Sequence, residues 1–364
     1  MGDIARIREE GQERQDRAPR PTSRPLSNLR ILSTLRGRMP TISIAFQTDK
    51  PLAEYGPLAA LAEAEGFDFL SVYNDLFYQP VWPALLMMAQ ATRRATLGPA
   101  AVNPFTAHPI TLAGELALLD EASGGRAYLG IARGAWLDAV GLYPRQPIRA
   151  IREALEVVGR LLAGDDSGYT GEAFYLVPGQ TLRWRPPRAR VPVALGSWGE
   201  SLIKATVDLI DEVKVGGTAN PALMPVMRER IERHAQGRAI GLCVGAVSVV
   251  DEDARLARDV ARRAVAMYLP VVAELDPIFE FDPDELARIK TGIDHGDAVA
   301  AARAVSDATL RRFAFAGSAA DLVRHIEALA DAGATRVELG TPHGVDEPAA
   351  LRLLGRRVLP AFRE

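Results

Sequence analysis

Ala95-Thr96-Leu97-Gly98-Pro99-Ala100-Ala101-Val102 is a short apolar run; Pro109 to Ala122 then reads as a helix, and Ser123-Gly124-Gly125 turns the chain into a second apolar run, Ala127 to Ala132. Strand, helix and strand in that order make a βαβ unit, the signature of a parallel sheet. The same cycle extends in both directions. Towards the N-terminus, Thr41 to Phe46 reads as the first strand, Leu52 to Glu65 as a helix stopped by Gly66, Phe67 to Tyr73 as the second strand and Trp82 to Arg93 as a helix. Towards the C-terminus come a long helix from Ile148 to Leu162, a fifth strand at Pro192 to Leu195, a helix from Ser201 to Leu209 and a sixth strand at Glu212 to Val215. A helix from Pro221 to His234, a seventh strand from Ile240 to Val250 and an eighth from Thr335 to Leu339 complete the series. Two stretches interrupt it. Ala163 to Arg190, rich in Gly, Tyr, Pro and Arg, reads as an inserted loop or short hairpin that is expected to cover something. Asp253 to Gly317 reads as a largely helical insertion broken by Pro270, Pro277 and Pro283, rather than as a separate domain. The expected fold is α/β, a (β/α)8 TIM barrel with insertions, forming one domain over residues 39–364.

The bulk numbers exclude several classes. A chain of 364 residues, 48% hydrophobic, can bury a large core. Its net charge of −3 provides no global positive field for nucleic acid or an anionic membrane. No apolar stretch reaches the roughly 20 residues that a membrane helix needs. The one cysteine, Cys243, lies in the apolar run Ile240-Gly241-Leu242-Cys243-Val244, which leaves no disulfide framework or thiolate metal cluster and points to a reducing, cytoplasmic setting. Residues 1–38 are set apart by Arg6, Arg8, Arg14, Arg17, Arg20, Arg24, Arg30, Arg36 and Arg38 among Pro and polar residues, and read as a disordered tail. Asp3, Glu9, Glu10, Glu13 and Asp16 within it argue against an organelle leader, so Met39 is expected to open the fold.

In an eight-stranded barrel the active site lies where the strands end, so the residues just after each strand are the ones that carry chemistry. They are Tyr73-Asn74-Asp75 after the second strand, Ala100-Ala101-Val102-Asn103-Pro104 at the end of the third, Arg133-Gly134-Ala135-Trp136 after the fourth and Gly196-Ser197-Trp198-Gly199 after the fifth. Gly216-Gly217-Thr218-Ala219-Asn220 follows the sixth strand and Gly340-Thr341-Pro342-His343-Gly344 the eighth. Gly196-Ser197-Trp198-Gly199 opens a helix, whose N-terminal N–H groups suit a phosphate approached by backbone; by itself the turn reads first as a helix cap. Arg133 across the mouth would add a bidentate contact to the same anion. Trp136 and Trp198 could wall a bound ring or pack under loops. Among the five histidines no pair has the spacing of a helical metal site, so no metal is expected; His108 reads as structural, and His343 stands at the mouth as a possible substrate contact. Lys214, within the sixth strand, calls for a buried partner, Glu212 or Glu338. Neither a Walker spacing nor Gly-x-Gly-x-x-Gly after the first strand is present.

Leu97-Gly98-Pro99-Ala100-Ala101-Val102-Asn103-Pro104-Phe105-Thr106-Ala107-His108-Pro109, with Leu118 to Gly134 and its core Glu121-Ala122-Ser123-Gly124-Gly125-Arg126, resembles the luciferase-like monooxygenase superfamily. The likeness is greatest to the branch that uses coenzyme F420, including methylene-tetrahydromethanopterin reductases. The resemblance implies a deazaflavin at the barrel mouth, hydride transfer to or from a small organic substrate, a non-prolyl cis peptide at Ala100-Ala101 beneath the ring, and Asn103 near the ring's polar edge. It places the phosphate contacts on Arg133 and Ser197, with the backbone of Gly196, Trp198 and Gly199, and Gly216 and Gly217 lie on the same rim. Reduced FMN with oxygen is the alternative chemistry, a non-catalytic cofactor-binding barrel is a third reading, and a homodimer built on helices such as Trp82 to Ala91 is the implied assembly. The chain departs from that branch at Asp75-Leu76-Phe77, where the usual histidine is replaced by Leu76, and at Ala45 and Ala135, where pterin reductases carry acids. Asp75 and Asn74 are then the nearest candidates for protonation or substrate binding.

Overall fold

The computed structural model describes residues 39–363, so the expected disordered tail lies outside the described residues. Strand β1 (Thr41–Phe46) is followed by helix α1 (Tyr55–Glu65), β2 (Phe69–Val72), α2 (Val81–Ala91), β3 (Thr96–Pro99), α3 (Pro109–Ser123), β4 (Leu129–Ala132) and α4 (Pro147–Ala163). A small hairpin, β5 (Tyr169–Thr170) with β6 (Tyr175–Leu176), precedes β7 (Val193–Gly196), α5 (Glu200–Thr206), β8 (Glu212–Gly216), α6 (Leu223–Ala235) and β9 (Gly241–Val250). Then come α7 (Ala254–Val272), α8 (Pro283–Asp294), α9 (Ala298–Ala304), α10 (Asp307–Phe313), β10 (Ala314–Gly317), α11 (Ala319–Asp331), β11 (Arg336–His343) and α12 (Glu347–Arg357).

Local signals set the element ends. Helix α3 starts where the His108 ring accepts a hydrogen bond from the Ile110 N–H (3.2 Å), and it stops at Gly124, whose φ of 69° is left-handed, so the structural role expected of His108 holds. Period-two alternation divides β1: Ile42, Ile44 and Phe46 join the apolar layer between strands and helices, while Ser43 meets Arg336 (3.0 Å) inside the barrel.

The parallel ladder runs β3-β2-β1-β11-β9-β8-β7-β4. Its two ends meet through the bridges Leu97↔Ala127 and Val102↔Ile131, and the expected eight-stranded barrel is complete. Close approach at this seam depends on glycine. A Cβ on Gly98 would stand 2.4 Å from the Tyr128 ring, which fills the barrel interior there.

The two insertions take different positions on the barrel. The stretch 163–190 leaves α4 on the face where strands begin, then runs up the outside of α3 and α4: Phe174 packs edge-on against His108 at the start of α3, and Glu172 pairs with Arg149 in the first turn of α4, both on the mouth side. Arg188 ties it to Asp120 near the end of α3 and to the carbonyl of Ala127 (2.8 Å), just before β4. Buried Glu153 of α4 accepts hydrogen bonds from the N–H groups of Glu172, Ala173 and Phe174 (3.0, 2.7 and 3.0 Å), so the hairpin packs over the outer surface of α4. The stretch 253–317 does follow a strand, but it ends in β10, which adds in parallel to Val247–Val250 of β9. Val265, Leu269, Ile289 and Phe313 give this insertion an apolar cluster of its own.

Candidate active site

The strand ends bring the sequence-predicted residues to one rim. The Ala100–Ala101 peptide is cis, as the resemblance implied, with the Ala100 N–H on the Val72 carbonyl (2.7 Å) and the Val102 N–H on that of Gly130 (3.0 Å). Asn103 is buried, and its side-chain oxygen is taken up by the N–H groups of Phe105 and Thr106 (3.0 and 2.9 Å) and the Thr106 hydroxyl (3.1 Å). Its amide nitrogen lies 2.9 Å from where a Cβ on Gly134 would stand, so Asn103 joins the β3 and β4 loops and offers the mouth only that nitrogen. Arg133 is exposed and makes no hydrogen bond or ion pair among the described residues.

Ser197 caps its own turn. Its Oγ is 3.1 Å from both the N–H and the carbonyl oxygen of Gly199, while no side chain caps the seven-residue α5 that follows. The Trp198 indole N–H donates to the Gly216 carbonyl (3.1 Å) and binds the end of β7 to the end of β8. Gly199 and Gly216 face open space: a Cβ on either would meet nothing within 4 Å. Gly217, at φ 82°, instead lies against Val272 of α7, and Gly196 against Ala132. Trp136 is 42% exposed and flanks the β4 exit.

Below the rim, the floor of the mouth is a charged network. Lys214 of β8 pairs with Glu338 of β11, not with Glu212, and its ammonium lies 5.4 Å from the centre of the Tyr73 ring. Glu338 also accepts from Ser71 Oγ (2.5 Å) and Arg336 (3.1 Å), Tyr128 Oη donates to Ser71 (3.0 Å), and Arg336 bridges on to Glu212 (3.0 Å). Burial alone would push the Glu338 carboxyl up, but Lys214 and Arg336 outweigh it and hold the group below the ordinary range. The Tyr73 hydroxyl sits 2.3 Å from where a Cβ on Gly340 would be, so glycine there gives the ring its place, and burial together with Glu338 keeps the phenol protonated.

Asp75 stands at the rim beside this floor. Gln47, just past β1, donates to its Oδ2 (2.7 Å), and the Gln47 side-chain oxygen Oε1 is itself fixed by the Thr48 N–H (2.8 Å). Burial raises the Asp75 pKa above the ordinary aspartate value, against the opposing pull of Gln47 and Lys214. Asn74 is half-buried next to it. His343, read as a mouth residue, is fully buried: its Nδ1 is 2.8 Å from Glu347 and its ring packs edge-on against Phe46, so it touches no open volume. Gln47, Arg336 and the Ser71–Tyr128 pair escaped the sequence reading. Arg336 with Glu338, and Glu212 with Lys214, do alternate two apart on strands, a pattern that points charge into the barrel.

With this rim and floor in place, the sequence can be set beside known proteins. Residues 32–336 match the luciferase-like monooxygenase family. The chain belongs to that family. Among luciferase-like relatives, it is 28% identical over 335 residues to the 5,10-methylenetetrahydromethanopterin reductase of Archaeoglobus fulgidus, covering 88% of this chain and 99% of that one. It is 30% identical to the reductase of the same name from Methanopyrus kandleri, covering 87% of this chain and 96% of that one. The solved structure of the coenzyme F420-dependent tetrahydromethanopterin reductase from Methanopyrus kandleri superposes with a TM-score of 0.82 at 27% identity, over 90% of this chain and all (100%) of that one. The luciferase-like barrel of this protein is therefore shared over nearly its whole described length.

Proposed function

We propose that this protein is a coenzyme F420-dependent oxidoreductase that transfers a hydride between the deazaflavin, held at the barrel mouth, and a small organic substrate. The observation that carries the reading is a likeness over nearly the whole described length, in sequence to methylenetetrahydromethanopterin reductases and in fold to a coenzyme F420-dependent reductase. The residues present fit such a group. Gly199 and Gly216 face open space, which lets a group approach their backbone closely, and Arg133 offers a guanidinium that no described side chain neutralises. Arg133, the Gly199 backbone and the Ser197 turn would hold the phosphate, and Trp198 with Ala100–Ala101 would bound the ring. When bound, the cofactor supplies the hydride chemistry.

The chain's own part is placement and proton handling. Asp75, oriented by Gln47, holds or releases the proton that accompanies hydride transfer, and the Lys214 ammonium in the floor favours its ionised form. The pterin substrate of the relatives is not carried over, because Ala45 and Ala135 stand at positions where the resemblance to pterin reductases implies acids. A homodimer is the proposed assembly, with Ile110 and Leu118 of α3, 45% and 49% exposed, as part of its apolar face. A cytoplasmic location is proposed on the single buried cysteine.

Titration of the purified protein with F420 and with FMN, read through tryptophan fluorescence, tests the assignment. Micromolar binding of F420, weakened about tenfold or more in Arg133→Ala by loss of a charge-assisted contact, is the expected result. Preferential binding of FMN would transfer the chemistry to a flavin monooxygenase, and binding of neither would remove it.

A further inference from the structure

On the outside of the barrel, the insertion and α11 border an open pocket of about 700 Å³, none of whose lining residues belongs to the mouth. Four guanidinium groups border it, from Arg258 of α7, Arg311 and Arg312 of α10, and Arg324 of α11. Two carboxylates, Asp307 and Asp321, also line it, so four positive charges less two negative leave a surplus of two. Both carboxylates are already engaged. Asp321 accepts from the Ser318 N–H and Oγ (3.0 and 2.9 Å), closing the capping box of α11, and pairs with Arg324. Asp307 pairs with Arg262, which lies outside the cavity.

The arginines are less well matched. Arg311 is exposed and has no hydrogen bond or ion pair among the described residues, and Arg258 comes no closer to a carboxylate than 3.6 Å. Leu310, Ala314, Ala316 and Phe279 supply apolar walls, which concentrate the field of the guanidinium groups. His325 adds no charge, because burial lowers its pKa and its Nε2 lies 2.7 Å from the Ala219 carbonyl. The volume is that of a small-molecule site, and planar guanidinium forks match carboxylate and phosphate oxygens.

We infer that this cavity is a binding site for a small, multiply charged oxyanion, a phosphate ester or a polycarboxylate, separate from the cofactor mouth. Its inner wall is joined to the mouth. The Arg312 guanidinium donates to Asn220 Oδ1 (2.7 Å) and its carbonyl accepts from the Ala219 N–H (2.7 Å), both in the loop that begins at Gly216.

Calorimetric titration of the full chain with pyrophosphate and with citrate, against chloride at matched ionic strength, tests the site without reference to catalysis. The expected result is saturable binding of at least one anion, with a Kd below about 1 mM. It should weaken at least tenfold (about 1.4 kcal/mol) in Arg311→Glu and in the milder Arg311→Gln, both at an exposed position, and persist in Arg133→Ala. The ratio of the two affinities assigns the ligand to the phosphate or the carboxylate class. Absence of saturation by either anion up to about 10 mM, or binding that survives Arg311→Glu and is lost in Arg133→Ala, would overturn the inference.

Discussion

Asp75 shows how a single carboxyl acquires a role from its surroundings. Its shift upward comes from burial, and Gln47 moderates that shift by stabilising the ionised form. In the direction of reaction where Asp75 donates a proton, the rate falls as pH rises through its pKa, and that limb lies above the ordinary aspartate value of about 3.9. Removing the moderating hydrogen bond in Gln47→Leu is expected to move the limb to higher pH, read from kcat against pH; an unmoved limb would place the titrating proton elsewhere. Asp75→Asn should lower kcat by about 100-fold, the lower range for lost general acid–base catalysis, with F420 affinity held within about twofold of the parent protein. An equal loss of affinity would make Asp75 a binding residue.

At the scale of elements, β8 and β11 are locked across the barrel by Arg336, Glu212, Glu338 and Lys214. Arg336 is 3% exposed and serves both carboxylates, so Arg336→Met leaves Glu212 without its partner and Glu338 with fewer. The expected cost in urea unfolding is about 3–5 kcal/mol, the range for breaking a buried pair, and adding Glu212→Leu should recover part of it. The pH dependence has a definite sign. Because the Glu338 pKa is depressed in the fold, its stabilisation is present above the unfolded value, near 4.3, and is lost as pH falls through the folded one. Acid unfolding of Glu338→Gln should therefore be less steep than that of the parent protein. Lys214→Met tests a different part of the same layer, since Arg336 and Ser71 still satisfy Glu338 when the ammonium is gone.

At the scale of the whole molecule, light scattering should give the mass of two copies, and Leu118→Glu, on the exposed face of α3, the mass of one. A parent protein that elutes as one copy would remove the proposed dimer. The barrel itself was legible in the linear chain, because periods of two and of about 3.6 residues, and stops such as Gly66 and Gly124, act between near neighbours. That chain also determined the rim, since a parallel barrel presents whatever follows each strand at one end. Only the tertiary structure decided which groups meet. Gln47 reaches Asp75 across 28 positions and Arg336 reaches Glu212 across 124, and these pairings depend on strand register and barrel closure, which no local pattern encodes. It likewise buried His343 against Glu347, used Ser197 as the cap of its own turn, left Arg133 unpaired among the described residues and gathered arginines from three helices around one cavity, because burial and charge balance are properties of the assembled surfaces.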